Sequence, residues 1–242
     1  MLRRRELLSA LVSLWLARAV EAAEAVRGPL RDELRARLLR LSALSRALAA
    51  KEIRPLDWQG GVEELSRGID LPGLMRAADF DRVAGKLALP DNGAGAEPTR
   101  LAGVPRTFGV KIFGLRRGRA IIPHGHRNMV SQHFVLAGEL HGRHFERVRD
   151  EAEHLLLRPT IDRTFRPGDS SSISGQRDNV HWFVAKSERA YTLDAVVDNL
   201  DPSRGYRFQI DYVDPDRAER DGDALRVRRL DYGEAMRLYG TA

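Results

Sequence analysis

From residue 107 onward the chain breaks into short apolar runs, each closed by Gly, Pro, Asp or Asn. RTFGVKIFGL gives way to RRGR and AIIPHGH, then to VSQHFVLAGEL and HGRHFERV; the series continues through HLLLRPTI, FRPGDSSSI, NVHWFVA, YTLDAVVD and YRFQIDYV. Runs of this length, rich in Val, Ile, Phe and Tyr and punctuated by turn residues, suit strands joined by tight connections. No helical period separates them, so alternating α/β units are excluded. The pattern predicts a mainly β protein, a sandwich or a small barrel.

The first part of the chain has a different texture. Leu30, Leu34, Leu38, Leu41, Leu44 and Leu48 recur at three and four residues, which predicts an amphipathic helix over 29–53 with Pro29 in its first turn. A second helix is expected around Val62 to Arg67, and a third from Pro72 through Met75 and Phe80 toward Leu87. LPDNGAGAEPTRLAGVP then lacks any period and reads as a linker or wrapping loop. The resulting organisation is a leader at 1–22, a helical region at 23–88, a linker at 89–106, a barrel at 107–214, and a charged tail at 215–242 ending in a short helix. The leader carries Arg3, Arg4 and Arg5, then an apolar stretch from Leu7 to Leu16, then Ala19, Ala22 and Ala25 as cleavage options. It resembles an export signal, and Arg4 to Leu8 resembles the twin-arginine pattern, so a periplasmic or secreted protein is expected. The stretch is too short to span a bilayer core of roughly 30 Å, and no membrane span is expected after its removal.

Composition removes several chemistries. The chain has no cysteine, so disulfides, zinc–thiolate sites and thiol nucleophiles are out, and any metal must be held by nitrogen and oxygen. The net charge of +6 comes from 40 Lys and Arg interleaved with 34 Asp and Glu. Interleaving of that kind is a solvated surface, not a nucleic-acid footprint.

IIPHGHRNMVSQHFVLAGEL places His124 and His126 one residue apart on a presumed strand, where both can face one ion. Alone, the pair is equally at home as two ordinary sheet histidines. The frame is more specific: Gly118, five residues, His124, one residue, His126, four residues, Ser131, six residues, Gly138. This spacing resembles the first motif of the cupin superfamily. The resemblance covers about 107–214 and implies a double-stranded β-helix, or jelly roll, with a metal inside it and the helical region as an N-terminal extension. Cupins have Glu where this chain has Ser131. A second motif is matched by Pro167, Gly168 and Asp169 at a turn, followed by His181, which arrives two residues later than usual, where Asn179 stands. The resemblance therefore implies a three-histidine site of His124, His126 and His181. Among cupins it is similar to the thiol dioxygenases, which use Fe(II) and O2, although YTLDAVVDN offers Tyr191, Asp194 and Asp198 where those enzymes carry a trio containing His.

Three neutral ligands leave an ion's double charge uncompensated and about three positions open, which suits Fe(II) binding a small molecule and O2 together. The same set suits zinc activating water. The reading that follows is an exported mononuclear non-haem Fe(II) dioxygenase of a small molecule, with a thiol as one option. A non-catalytic metal- or ligand-binding cupin and a zinc-dependent hydrolase or isomerase stand beside it. His133 shares a face with Ser131 and is a candidate fourth ligand or proton relay, or else a core histidine. Ser131, Asn179 and Phe183 are pocket candidates, while Arg127 and Arg177 are candidate carboxylate clamps. His141 and His144, three apart, are expected on opposite faces and make poor co-ligands; His154 is expected to be exposed. Trp182 points away from His181 toward a core or an interface, which leaves a homodimer open.

Overall fold

A computed structural model of the chain describes residues 29–241; the expected export leader lies outside the described residues. Among the described residues four helices come first: α1 (Pro29–Ala49), α2 (Pro55–Ser66), α3 (Leu71–Ala77) and α4 (Phe80–Lys86). The single helix expected from Pro72 to Leu87 is broken, because Asp79 takes a left-handed conformation at φ 54° between α3 and α4. Eleven strands follow: β1 (Gly95–Pro98), β2 (Gly109–Arg116), β3 (Ala120–Arg127), β4 (Met129–Ala137), β5 (Leu140–Asp150), β6 (His154–Phe165), β7 (Ser170–Ile173), β8 (Val180–Ala185), β9 (Arg189–Asp198), β10 (Gln209–Asp221) and β11 (Ala224–Leu230). A last helix, α5, spans Tyr232–Tyr239, its N-terminus capped by Asp231, which accepts from the Glu234 amide at 2.8 Å.

One sheet runs β1-β2-β9-β4-β7. The other runs β10-β11-β6-β5-β8-β3 and closes on itself, because β3 also pairs with β10. Strands β2 to β9 alone give the orders β2-β9-β4-β7 and β3-β8-β5-β6, which are the two four-stranded sheets of a jelly roll, the architecture of cupins. The fold is mainly β, with the helical segment N-terminal to it. Two ends of the chain join the sheets further than the sequence pattern predicts. β1 lies inside the expected linker and pairs along β2, and β10 and β11 carry sheet structure to Leu230, well into the expected tail.

Two apolar layers hold the assembly. Leu115, Val135 and Ala190 of the first sheet meet Ile121, Leu140, Phe165 and Phe183 of the second. Behind the second sheet, Phe145, Leu155, Leu157, Val180, Val213 and Val227 come from five of the ring's six strands and fill it. The leucine stripe of α1 explains why β4 is buried along nearly its whole length. Leu34 and Leu38 pack on Phe134 and Leu193, while Leu41 and Leu48 pack with Trp58 and Val62 on Val130, Ala195 and Val197. Alternate residues of β4 thus face the helices, and the intervening ones face the other sheet. Gln132 is polar on the helix side and is satisfied there by the Val62 carbonyl at 3.1 Å and by Ser66 Oγ. Gly138 ends β4 at φ +74°, and a side-chain carbon there would sit 2.2 Å from the Arg189 carbonyl oxygen, so this turn admits only glycine. Among the described residues no helix is long and apolar enough to cross a membrane.

The helical layer is therefore part of the core. Trp58 is fully buried, with its indole N–H donated to Ser45 at 3.3 Å. Trp58→Ala is expected to lower the unfolding free energy by about 3–5 kcal/mol in urea titrations.

Candidate metal centre

On β3, Ile121 sits opposite Phe183 of β8, whereas His124 sits opposite His181, so three steps along β3 match two along β8. The extra residue is a β-bulge at Ile122 and Pro123, and Pro123 has no N–H to lose from the ladder. Its effect is to reverse parity. Before the bulge, Ile121 faces the space between the sheets, and Ala120 and Ile122 face α5 with Trp182 and Val184. After it, His124 and His126 face the space between the sheets.

The register then lines imidazoles up across three strands. His124 is opposite His181, and His181 is opposite His144 of β5. Ring centroids are 4.3 Å apart for His124 and His181, 4.6 Å for His124 and His126, and 5.2 Å for His126 and His181. One ligand atom from each of the three lies within 4.8 Å of the others, close enough for small ring rotations to bring all three to one ion at about 2.0–2.1 Å. His124 has Nδ1 at 2.7 Å from the Ile122 carbonyl oxygen, so its Nε2 is the free donor. Nδ1 of His126 and Nδ1 of His181 are buried without a partner.

The electrostatics favour neutral rings. Burial pushes the His124 pKa down to about 4, with His133 adding to the effect while the Ile122 carbonyl and Asp194 oppose it. His126 and His181 are held well below the ordinary imidazole value by burial, then by the neighbouring histidines. Unprotonated nitrogen is the form a cation needs. The donor set therefore fits a divalent metal, with the identity of the ion left open by three nitrogens.

Around the three histidines stand further polar groups. His133, from the opposite sheet, lies 4.6 Å from His181 ring to ring. Its Nδ1 is 2.7 Å from Asp194 Oδ2, the residue directly across from it on β9, and Thr192 donates to the other carboxylate oxygen at 2.8 Å. His133 Nε2 is buried and unpartnered. A carboxylate behind an imidazole is the arrangement that fixes tautomer and ring orientation at metal sites. Ser131 is buried two residues earlier on the same strand. Phe183 is buried under the cluster, 5.4 Å from His133 and 6.0 Å from His181. Asn179 donates to the carbonyls of His126 at 2.7 Å and Ser174 at 2.9 Å, which ties the end of β3 to the loop before β8.

Of the two candidate arginines, one borders the site and the other is engaged elsewhere. Arg127 is held by Asp211 at 2.9 Å and Asp150 at 2.6 Å, and it lines a cleft of about 360 Å³ together with His126 and Asn179. Arg177 pairs with Glu63 of α2 and with Ser172, and so anchors the helical layer to β7. Trp182 faces away from the cluster and packs on Tyr239 of α5 at 5.0 Å, which accounts for it as core. His154 is half-buried, not exposed: Arg226 lies 3.1 Å from its Nδ1.

Two participants escape sequence reasoning. His144 is fully buried beside Phe183 and His181 with neither ring nitrogen bonded, whereas His141 faces outward to Asp162 at 3.0 Å. Opposite facing was the available signal, but it does not say which of the two turns in. Asp194 meets His133 only through the β4–β9 register, which no local pattern encodes.

No protein-family model and no curated protein matches the chain by sequence. Solved structures similar to it include procruciferin, an 11S globulin from Brassica napus, at 12% identity and TM-score 0.35 over 57% of this chain and 29% of that one. A recombinant oxalate oxidase in complex with glycolate is similar at 20% identity and TM-score 0.35, over 50% of this chain and 55% of that one. KdgF from Halomonas sp. is similar at 18% identity and TM-score 0.32, over 43% of this chain and 77% of that one. The chain thus spans under a third of the globulin and about half of the oxidase. The jelly-roll assignment rests on the strand order itself.

Burial of neutral imidazoles has a pH consequence. Unfolded, each ring takes a proton below about pH 6.5; folded, His144 stays neutral down to about 3 because burial, then His133 and Arg163, disfavour its charge. The unfolded state binds more protons in that window, so stability is full above about pH 6.5 and is lost as pH falls through it. In urea titrations of metal-free protein, His144→Leu should lose about 2 kcal/mol less than wild type between pH 7.5 and pH 5.

Proposed function

We propose that the protein is an exported mononuclear non-haem Fe(II) oxygenase acting on a small molecule. The observation that supports it most is the convergence of three neutral imidazoles with no carboxylate among them. Bound there, Fe(II) would supply open coordination positions for a substrate atom and for dioxygen, and the electrons that activate the latter. Zinc is the alternative the same nitrogens accept, and with it a binding or hydrolytic role.

The chain's own residues would divide the remaining work. His124, His126 and His181 would hold the ion. Asp194 accepts from His133 Nδ1–H, which leaves Nε2 facing buried space without a partner, placed to exchange a hydrogen bond or a proton with a bound substrate. Phe183 and the uncharged His144 close the site on its inner side and keep water out. The cleft lined by His126, Asn179 and Met129 gives a route inward. Export is carried by the leader's sequence alone.

Metal content by mass spectrometry on natively purified protein is expected to give close to one iron per chain, lost in His181→Ala. Stoichiometric zinc without oxygen uptake would replace the oxygenase reading by the binding or hydrolytic one, and no metal would overturn both. In iron-loaded protein, His133→Leu should retain the metal and lower oxygen-coupled turnover about 10²-fold.

A further inference from the structure

The cleft beside His126 carries a charge arrangement that nothing in the metal site requires. Arg127 and Arg147 line it, and a third arginine, Arg229, stands behind them on β11. All three converge on two carboxylates. Asp211 takes Arg127 Nε at 2.9 Å, Arg147 Nη1 at 2.7 Å and Arg229 Nη1 at 2.6 Å. Asp150 takes Arg127 Nη2 at 2.6 Å and Arg147 at 2.5 and 2.9 Å. Three guanidinium groups thus face two carboxylates, and one positive charge is in excess. Arg204, also lining the cleft, is offset by Asp201 at 3.5 Å.

The pairing also fixes geometry. Arg127 spends Nε and Nη2 on the carboxylates, and among the described residues Nη1 has no acceptor, so a guanidinium held at two corners keeps one open for a ligand. Arg127 follows His126 directly in the chain, and both line the same cleft. A second excess of positive charge would arise from the ion, because Ser131 stands where a carboxylate would have neutralised it, and Asp194 is committed to His133. A cleft of about 360 Å³ is on the scale that takes a small metabolite.

We infer that this cleft selects a small carboxylate, whose anionic group binds at Arg127 while the rest of the molecule extends toward His126. The inference deepens the proposed function and rests on it for the second half of that placement; the arginine half stands on the cleft alone.

The test is calorimetric titration of the full chain, with and without bound Co(II), using acetate, succinate and benzoate, each against its amide. At least one carboxylate should bind 10-fold or more tightly than its amide, and Arg127→Met should abolish that preference with Co(II) retention unchanged. Arg204→Gln, at an exposed turn where folding is not at stake, should weaken the same carboxylate two- to five-fold. Equal binding of acids and amides, or no binding of any acid to Co(II)-loaded protein, overturns the carboxylate inference and leaves the metal reading intact. Failure to hold Co(II) overturns the metal reading, and the metal-free titration then decides the cleft: an Arg127-dependent preference for acids sustains it, and its absence overturns it.

Discussion

The centre depends on one extra residue in one strand. Side chains alternate along a strand with a period of two, so a regular β3 that keeps Ile121 between the sheets would send His124 and His126 to the opposite face, among the residues beneath α5. The bulge at Ile122 and Pro123 lets both requirements hold at once: an apolar residue against Phe183, then two imidazoles against His181. Proline suits the position because it donates nothing to a ladder, and a bulge leaves a residue unpaired anyway. The Ile122 carbonyl faces His124 Nδ1, so the distortion that inverts the strand also orients the first histidine of the cluster.

Rigidity around that bulge comes from layers on both sides. The first sheet is covered by the leucine stripe of α1 and by Trp58, and the second by the β10–β11 hairpin and α5. β4 and β8 are consequently buried on both faces, and His133 and His181, which they carry, have no solvent to relax into. Such burial makes charging His181 costly and keeps it a neutral donor. The helical extension thus acts on the chemistry indirectly, by fixing the sheet that presents His133 and Asp194.

The sequence made legible what is local. Apolar runs and turns announced the strands, the leucine spacing announced α1, and the Gly118-to-Gly138 frame singled out His124 and His126. His181 was reachable because it is the last histidine and sits in an apolar run. What stayed hidden depends on partners distant in the chain. Asp194 is an acid in an ordinary strand until the β4–β9 register sets it opposite His133. His144 and His141 differ only in which face turns inward, and that is decided by pairing with β8 and β6. Arg177 and Arg127 look alike in sequence, yet one meets Glu63 of a helix more than a hundred residues earlier and the other joins a network spanning four strands. β1 escaped because its residues, Gly95 to Pro98, have no strand signature and pair only because β2 offers an edge.

Charge balance explains why the interior tolerates so many histidines. A buried carboxylate in place of Ser131 would need a cation at all times, whereas neutral imidazoles cost only unmet hydrogen bonds when no ion is present. Those unmet bonds are visible in His126, His133, His144 and His181, grouped in one small volume between the sheets. Unpaired groups scattered through a core would be a defect; gathered around one point, they form a donor set that fits a divalent cation. The carboxylates that do occur nearby are each engaged locally, Asp194 by hydrogen bonds from His133 and Thr192, Asp211 and Asp150 by three arginines. No carboxylate belongs to the three-histidine group itself among the described residues.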